Sequence, residues 1–97
     1  MTAAEVSLAG EIDMTTSAAA RELVSVGADE AIRLQVPLRI DLGAVTFLDS
    51  SGLACLAGAL ARLRGAGLPL QLTRVPAPIQ RLLEIVGLDE ACEIEPA

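Results

Sequence analysis

The sequence predicts a small α/β domain, with a mostly parallel sheet of about four strands packed against helices. Three observations carry that prediction. Apolar residues switch repeatedly between a two-residue period and a period near 3.6, so strands and helices alternate along the chain. A length of 97 residues is one domain's worth, so a single core must serve the whole of residues 1–97. That core must be aliphatic, because 53% of residues are apolar while Phe47 is the only aromatic.

From Ala4 to Ala9, Val6 and Leu8 alternate with Glu5 and Ser7, a strand with one buried face. Gly10-Glu11-Ile12-Asp13 is expected to turn the chain, and Thr15, Thr16 and Ser17 offer helix-capping hydroxyls. A helix should start near Ser17 with Ala20, Leu23 and Val24 inward. Gly27 interrupts it, and Asp29 is placed to cap a second short helix bearing Ile32 and Leu34; one kinked helix and two helices both remain open.

Leu38, Ile40 and Leu42 alternate with Arg39 and Asp41 in a central strand. Gly43 begins a turn, and Val45 to Leu48 reads as a further short strand ending at Asp49. The clearest helix follows, with Leu53, Leu56, Ala57, Leu60 and Leu63 on one stripe, Arg62 and Arg64 in its last turn, and Gly65 and Gly67 as its stop. Leu70 and Leu72 mark the next strand. Pro76 and Pro78 open a last helix, whose inner face is Ile79, Leu82, Leu83 and Val86 and whose end is Gly87. Residues 90–97 form an acidic tail with room for a short strand at Cys92–Ile94.

Composition excludes several chemistries. The formal charge of −6 repels a phosphate backbone and a lone aromatic provides no stacking platform, so nucleic acid is not an expected partner. With no histidine there is no His-based triad, relay or metal ligand; with no lysine there is no Schiff base or P-loop lysine. Cys55 and Cys92 form no C-x-x-C and read as small apolar residues in a reducing compartment. The amino-terminal MTAAEVSLAGEID lacks the basic start and apolar run of a signal peptide, and no apolar stretch reaches membrane-spanning length. The expectation is a soluble cytoplasmic protein without membrane insertion, cofactor, metal or catalytic residue.

Chemistry concentrates at Phe47-Leu48-Asp49-Ser50-Ser51-Gly52, where a strand's carboxyl end meets a helix's amino end. A hydroxyl there should project beside unpaired backbone N–H groups and the positive end of the helix dipole, a setting that accepts a phosphate. The plain alternative is that Asp49 or Ser50 caps the helix and does nothing else. A hydrolase nucleophile elbow is excluded by the absent G-x-S-x-G spacing and the absent base. A phospho-aspartate receiver would need a lysine.

Four segments together resemble a STAS domain, the fold shared by anti-sigma-factor antagonists and the cytoplasmic tails of sulfate transporters. They are Gly10-Glu11-Ile12-Asp13; Ile40-Asp41-Leu42; Val45-Thr46-Phe47-Leu48-Asp49-Ser50-Ser51-Gly52-Leu53; and Pro76-Ala77-Pro78-Ile79-Gln80-Arg81-Leu82-Leu83 followed by Gly87-Leu88. The resemblance implies a protein that binds an anti-sigma factor, itself a serine kinase, and so frees a sigma factor. Phosphorylation of the first serine of D-S-S-G, here Ser50 rather than Ser51, would end that complex, and a metal-dependent serine phosphatase would restore it. The implied partner surface is Asp13, Asp49, Ser50, Ser51 and Gly52. An alternative implied by short STAS proteins is a regulatory subunit docking on the ATPase of a phospholipid-trafficking ABC transporter, or a subunit of another signalling assembly. Only nine residues precede Gly10, so the family's extra amino-terminal strand is expected to be missing, which leaves a sheet edge open to another chain.

Overall fold

Each strand is joined to the next through a helix, which is the connection that parallel strands require. The structure, a computed structural model, describes residues 2–97. Its elements are β1 (Ala4–Ile12), α1 (Ser17–Leu34), β2 (Leu38–Leu48), α2 (Ser50–Gly65), β3 (Leu70–Val75), α3 (Ala77–Val86), a single 3-10 turn at Leu88–Glu90, and β4 (Glu93–Pro96). The sheet order is β1-β2-β3-β4 and all three pairings are parallel. Successive strands step one place in the same direction, so right-handed crossovers put α1, α2 and α3 on one face.

The register shows that face directly. Ala4, Leu38 and Leu70 lie side by side, then Val6, Ile40, Leu72 and Ile94, and these rows supply the sheet's share of the core. The opposite rows, Glu5-Arg39-Gln71-Glu93 and Ser7-Asp41-Thr73, form a polar outer face. It is laced by Arg74–Asp41 at 2.9 Å, Gln71–Glu93 at 3.1 Å and Arg39–Glu95 at 3.7 Å.

Several elements differ from the sequence expectation. β1 does not turn at Gly10; it keeps pairing to Ile12, opposite Leu48, and Gly10 at φ +73° marks an irregularity inside it. Val45–Leu48 is no separate strand, because β2 runs unbroken through Gly43. Two register shifts each give β2 an extra residue against β1: Ser7 and Ala9 face Asp41 and Ala44, and Gly10 and Glu11 face Val45 and Phe47. Beyond Leu42 the buried positions therefore become Val45 and Leu48, and the two-residue period is lost.

α1 is a single helix through Gly27, and Asp29 caps nothing. A methyl group on Gly27 would lie 2.3 Å from Val6 Cγ2 and 3.0 Å from Leu38 Cδ1, so this glycine permits close approach of helix and sheet. The buried stripe of α1 is Ser17, Ala20, Val24, Gly27, Ala28 and Ala31, whereas Leu23 and Leu34 face outward. In α2 the stripe includes Cys55 and Ala59, with Leu53 only partly covered and Ala57 exposed. In α3, Ile79 and Leu83 are buried but Val86 is not. The acidic carboxyl-terminal stretch is ordered, since Glu93–Pro96 pairs with β3.

Candidate functional site

The carboxyl ends of β1 and β2 and the amino ends of α1 and α2 converge at one edge of the domain. A hydrogen bond from the Asp49 N–H to the Ile12 carbonyl, 3.2 Å, ties the two strand ends together. Asp13 and Asp49, far apart in sequence, thus begin neighbouring loops.

Asp13 organises the first loop. Its Oδ1 accepts from the Thr15 N–H at 2.9 Å, the Thr15 hydroxyl at 2.8 Å and the Thr16 N–H at 3.1 Å. Its own N–H donates to Thr16 Oγ1 at 2.9 Å, and the Thr16 hydroxyl donates back to the Glu11 carbonyl at 2.7 Å. The Thr15 hydroxyl, followed by these backbone N–H groups, holds the Asp13 carboxyl below the ordinary carboxylate range. The expected capping by Thr15, Thr16 or Ser17 is replaced by this arrangement: Thr16 stands at the N-cap without a side-chain cap bond, and the Ser17 N–H bonds the Asp13 carbonyl at 2.8 Å.

Asp49 is the N-cap of α2. Its Oδ1 accepts from the Ser51 N–H at 2.8 Å and the Gly52 N–H at 3.3 Å, in an extended backbone conformation suited to capping. Ser50 is the first residue of the helix and is exposed, and its hydroxyl makes no hydrogen bond among the described residues. Of the two capping candidates, Asp49 is the cap and Ser50 is free of that duty. Two of the backbone N–H groups expected to greet a phosphate are already bonded to Asp49, so a phosphate here would meet a carboxylate where open donors were anticipated.

Ser51 is part-buried. Gly52 is buried, and a methyl group there would lie 2.3 Å from Leu48 Cδ1 and 3.1 Å from the Ile12 carbonyl oxygen. Its place in the motif is to let α2 start tightly against the strand ends. Two residues not singled out as functional flank the acidic pair: Met14 is 82% exposed and Phe47 50% exposed. Phe47 stands opposite Glu11 on the strand pair because the second register shift turns it away from the core. The lone aromatic beside D-S-S-G was the available signal; Met14 offered only its position next to Asp13.

The thiols play no part in this surface. Cys55 and Cys92 are unpaired. Burial raises the Cys55 pKa against an opposing pull from Arg21, and burial with Asp89 and Glu93 raises that of Cys92. Among the described residues no cluster of His, Cys, Asp or Glu could hold a metal ion, and no helix is long and apolar enough to cross a membrane.

Residues 2–96 match the family model described as Mlab, STAS domain. The chain is 35% identical over 91 residues to the anti-sigma-B factor antagonist of Listeria monocytogenes, covering 94% of this chain and 77% of that protein. A crystal structure of an anti-sigma factor antagonist from Mycobacterium paratuberculosis superposes with a TM-score of 0.80 at 30% identity, over 96% of this chain and 76% of that one. The anti-sigma factor antagonist SpoIIAA in its unphosphorylated form shares the fold, with a TM-score of 0.69 at 19% identity over 96% and 78% of the respective chains.

Proposed function

The chain belongs to the STAS domain family, and we propose that within it the protein is an anti-sigma factor antagonist switched by phosphorylation of Ser50. It acts by binding, not by turnover. The unmodified protein engages an anti-sigma factor, and the sigma factor that factor held is released. Asp13 and Asp49 supply the acidic part of the surface, Ser51 borders it, and Met14 and Phe47 supply its apolar part. Serine-kinase activity of the partner modifies Ser50, and a metal-dependent serine phosphatase restores it. The compartment is the cytoplasm, where free thiols persist.

The single observation that carries the switch is the free Ser50 hydroxyl, exposed at the start of a helix whose cap is already provided by Asp49. Adding a phosphate there brings about −1.5 to −2 charges to a surface that holds two carboxylates. Because the cap is independent of Ser50, the charge should alter binding without unfolding the domain.

Calorimetric titration against the partner tests this reading. Ser50→Ala should bind constitutively, Ser50→Asp weakly, and Ser51→Ala should still accept phosphate at Ser50. Equal affinities of Ser50→Ala and Ser50→Asp would reduce Ser50 to an ordinary surface residue. A second reading, a regulatory subunit on the ATPase of a phospholipid-trafficking ABC transporter, stands beside the first because the matching family model is not itself described as an antagonist. Capture from native lysate separates them: a small kinase-type ATPase supports the antagonist, an ABC ATPase the subunit.

A further inference from the structure

Away from the Ser50 surface, β1 is one of the two edge strands of the sheet and the longer of them. Ala4 donates its N–H to the Pro37 carbonyl at 2.9 Å, so its peptide groups face β2. Backbone groups alternate sides along a strand, so Val6 also faces β2 while Glu5 and Ser7 point their N–H and C=O groups away from the sheet. β1 carries no proline and no lysine that would discourage pairing along this edge.

Beside that edge, on the helix-covered side, two apolar grooves of about 480 and 350 Å³ run between β1 and α1 and share Leu23 as a common wall. Leu23 is 51% exposed and Val26 59% exposed, both on the α1 face that overhangs the edge. A strand added to β1 would set every second side chain on Leu23 and Val26, and the intervening side chains on the polar face beside Glu5. The free backbone donors and acceptors and the uncovered apolar wall therefore call for the same occupant.

Charge narrows its chemistry. Glu5, Glu22 and Glu30 line the first groove; among the described residues only Glu30 of these makes an ion pair, with Arg33 at 3.9 Å, while Arg39, opposite Glu5 in the register, pairs with Glu95 at 3.7 Å. Arg21, the other arginine on this part of α1, lines the groove on the α2 side. A second copy of the chain would bring the same carboxylates and a net charge of −6 to the contact, which opposes self-pairing. A basic segment has the complementary sign.

We propose that the β1 edge is a strand-addition site for a basic, extended segment of a partner protein, with alternate apolar side chains seated on Leu23 and Val26. The site is separate from Ser50 and does not depend on the antagonist reading. It gives the domain a second contact whose specificity comes from alternation and charge.

The probe is the synthetic peptide Arg-Val-Thr-Val-Arg-Val-Arg, titrated into the isotope-labelled chain of residues 1–97 at low ionic strength. Expected are backbone amide shifts confined to β1 and to the α1 residues from Ala19 to Glu30, and slowing of amide exchange at Glu5 and Ser7 by about tenfold or more. Ser7→Pro removes one outward N–H but leaves the donors that bond β2, so the fold should persist while binding is lost. The double charge reversal Glu5→Arg with Glu22→Arg should weaken binding about tenfold or more, and added salt should weaken it for the original chain. Ser50→Asp should bind the peptide unchanged. No shifts at millimolar peptide, undiminished binding by Ser7→Pro, or equal binding of a peptide with Glu in place of Arg would overturn the proposal. So would protection of Glu5 and Ser7 in the chain alone together with sedimentation as a dimer, which assigns the edge to a second copy.

Discussion

Replacing Asp49 and Ser50 one at a time by alanine separates the cap from the switch. Asp49→Ala removes the acceptor for the N–H groups of part-buried Ser51 and buried Gly52. Loss of an N-cap costs about 1 kcal/mol, up to about 2, and the lost attraction between carboxylate and helix dipole adds roughly 0.3–1 kcal/mol. A total of about 1–3 kcal/mol is a large share of the stability of roughly 5–15 kcal/mol expected for such a domain. At about 4–8 °C per kcal/mol for a domain of this size, the melting temperature should fall by roughly 5–20 °C. Ser50→Ala removes no hydrogen bond and slightly improves helix propensity, so its effect should stay within about 0.5 kcal/mol of zero. Urea denaturation of the three proteins, with calorimetry as a second probe, reads both numbers. If Ser50→Ala costs as much as Asp49→Ala, the hydroxyl is part of the cap and the argument for a free, modifiable serine fails.

Other outcomes follow from the same structure. Phosphorylation of Ser50 facing one partner carboxylate about 7 Å away, at an effective dielectric of about 20, opposes binding by about 2.4 kcal/mol per unit charge before screening. Titration should therefore show a loss of roughly 30- to 1000-fold relative to the unmodified protein. Leu63, fully buried in α2, should cost about 2–5 kcal/mol as Leu63→Ala in chemical denaturation; a loss well under 1 kcal/mol would mean that this helix face is not core. The carboxyl of Asp41 is depressed chiefly by its hydrogen bonds with Arg74, and that of Asp13 chiefly by the Thr15 hydroxyl. A depressed folded pKa gives stability that is complete above the unfolded value of about 3.9 and is lost as pH falls through the folded one. Asp41→Asn should therefore flatten the acid limb of the stability profile below about pH 4, leaving its slope near neutrality unchanged; denaturation midpoints across that range check it.

The α/β class, the central place of Leu38–Leu42 and the strand-to-helix position of Ser50 were all legible in the sequence. They rest on local periodicity, and periodicity reports which side chains must leave water whatever the global arrangement. The acidic pair was also readable one residue at a time. Its convergence on one surface was implied only by the family resemblance and not by local pattern, because Asp13 and Asp49 approach only when Ile12 and Asp49 bond across the ends of two parallel strands.

Tertiary structure decided the matters that depend on a neighbour. Gly27 looks like a break in a one-dimensional pattern and Gly52 like one more residue of a motif, yet each stands where another element comes so close that a methyl group would collide with it. The bulges in β2 break the alternation that sequence reading relies on, and they turn Phe47 outward beside the site. The cap went to Asp49 and left Ser50 free because the backbone at the end of β2 aims one carboxylate at two N–H groups, a geometry invisible to composition. The sequence by itself thus determined which residues are apolar, charged and able to cap. Which of them meet, and so which serine remains available, was decided by contacts between segments far apart in the chain.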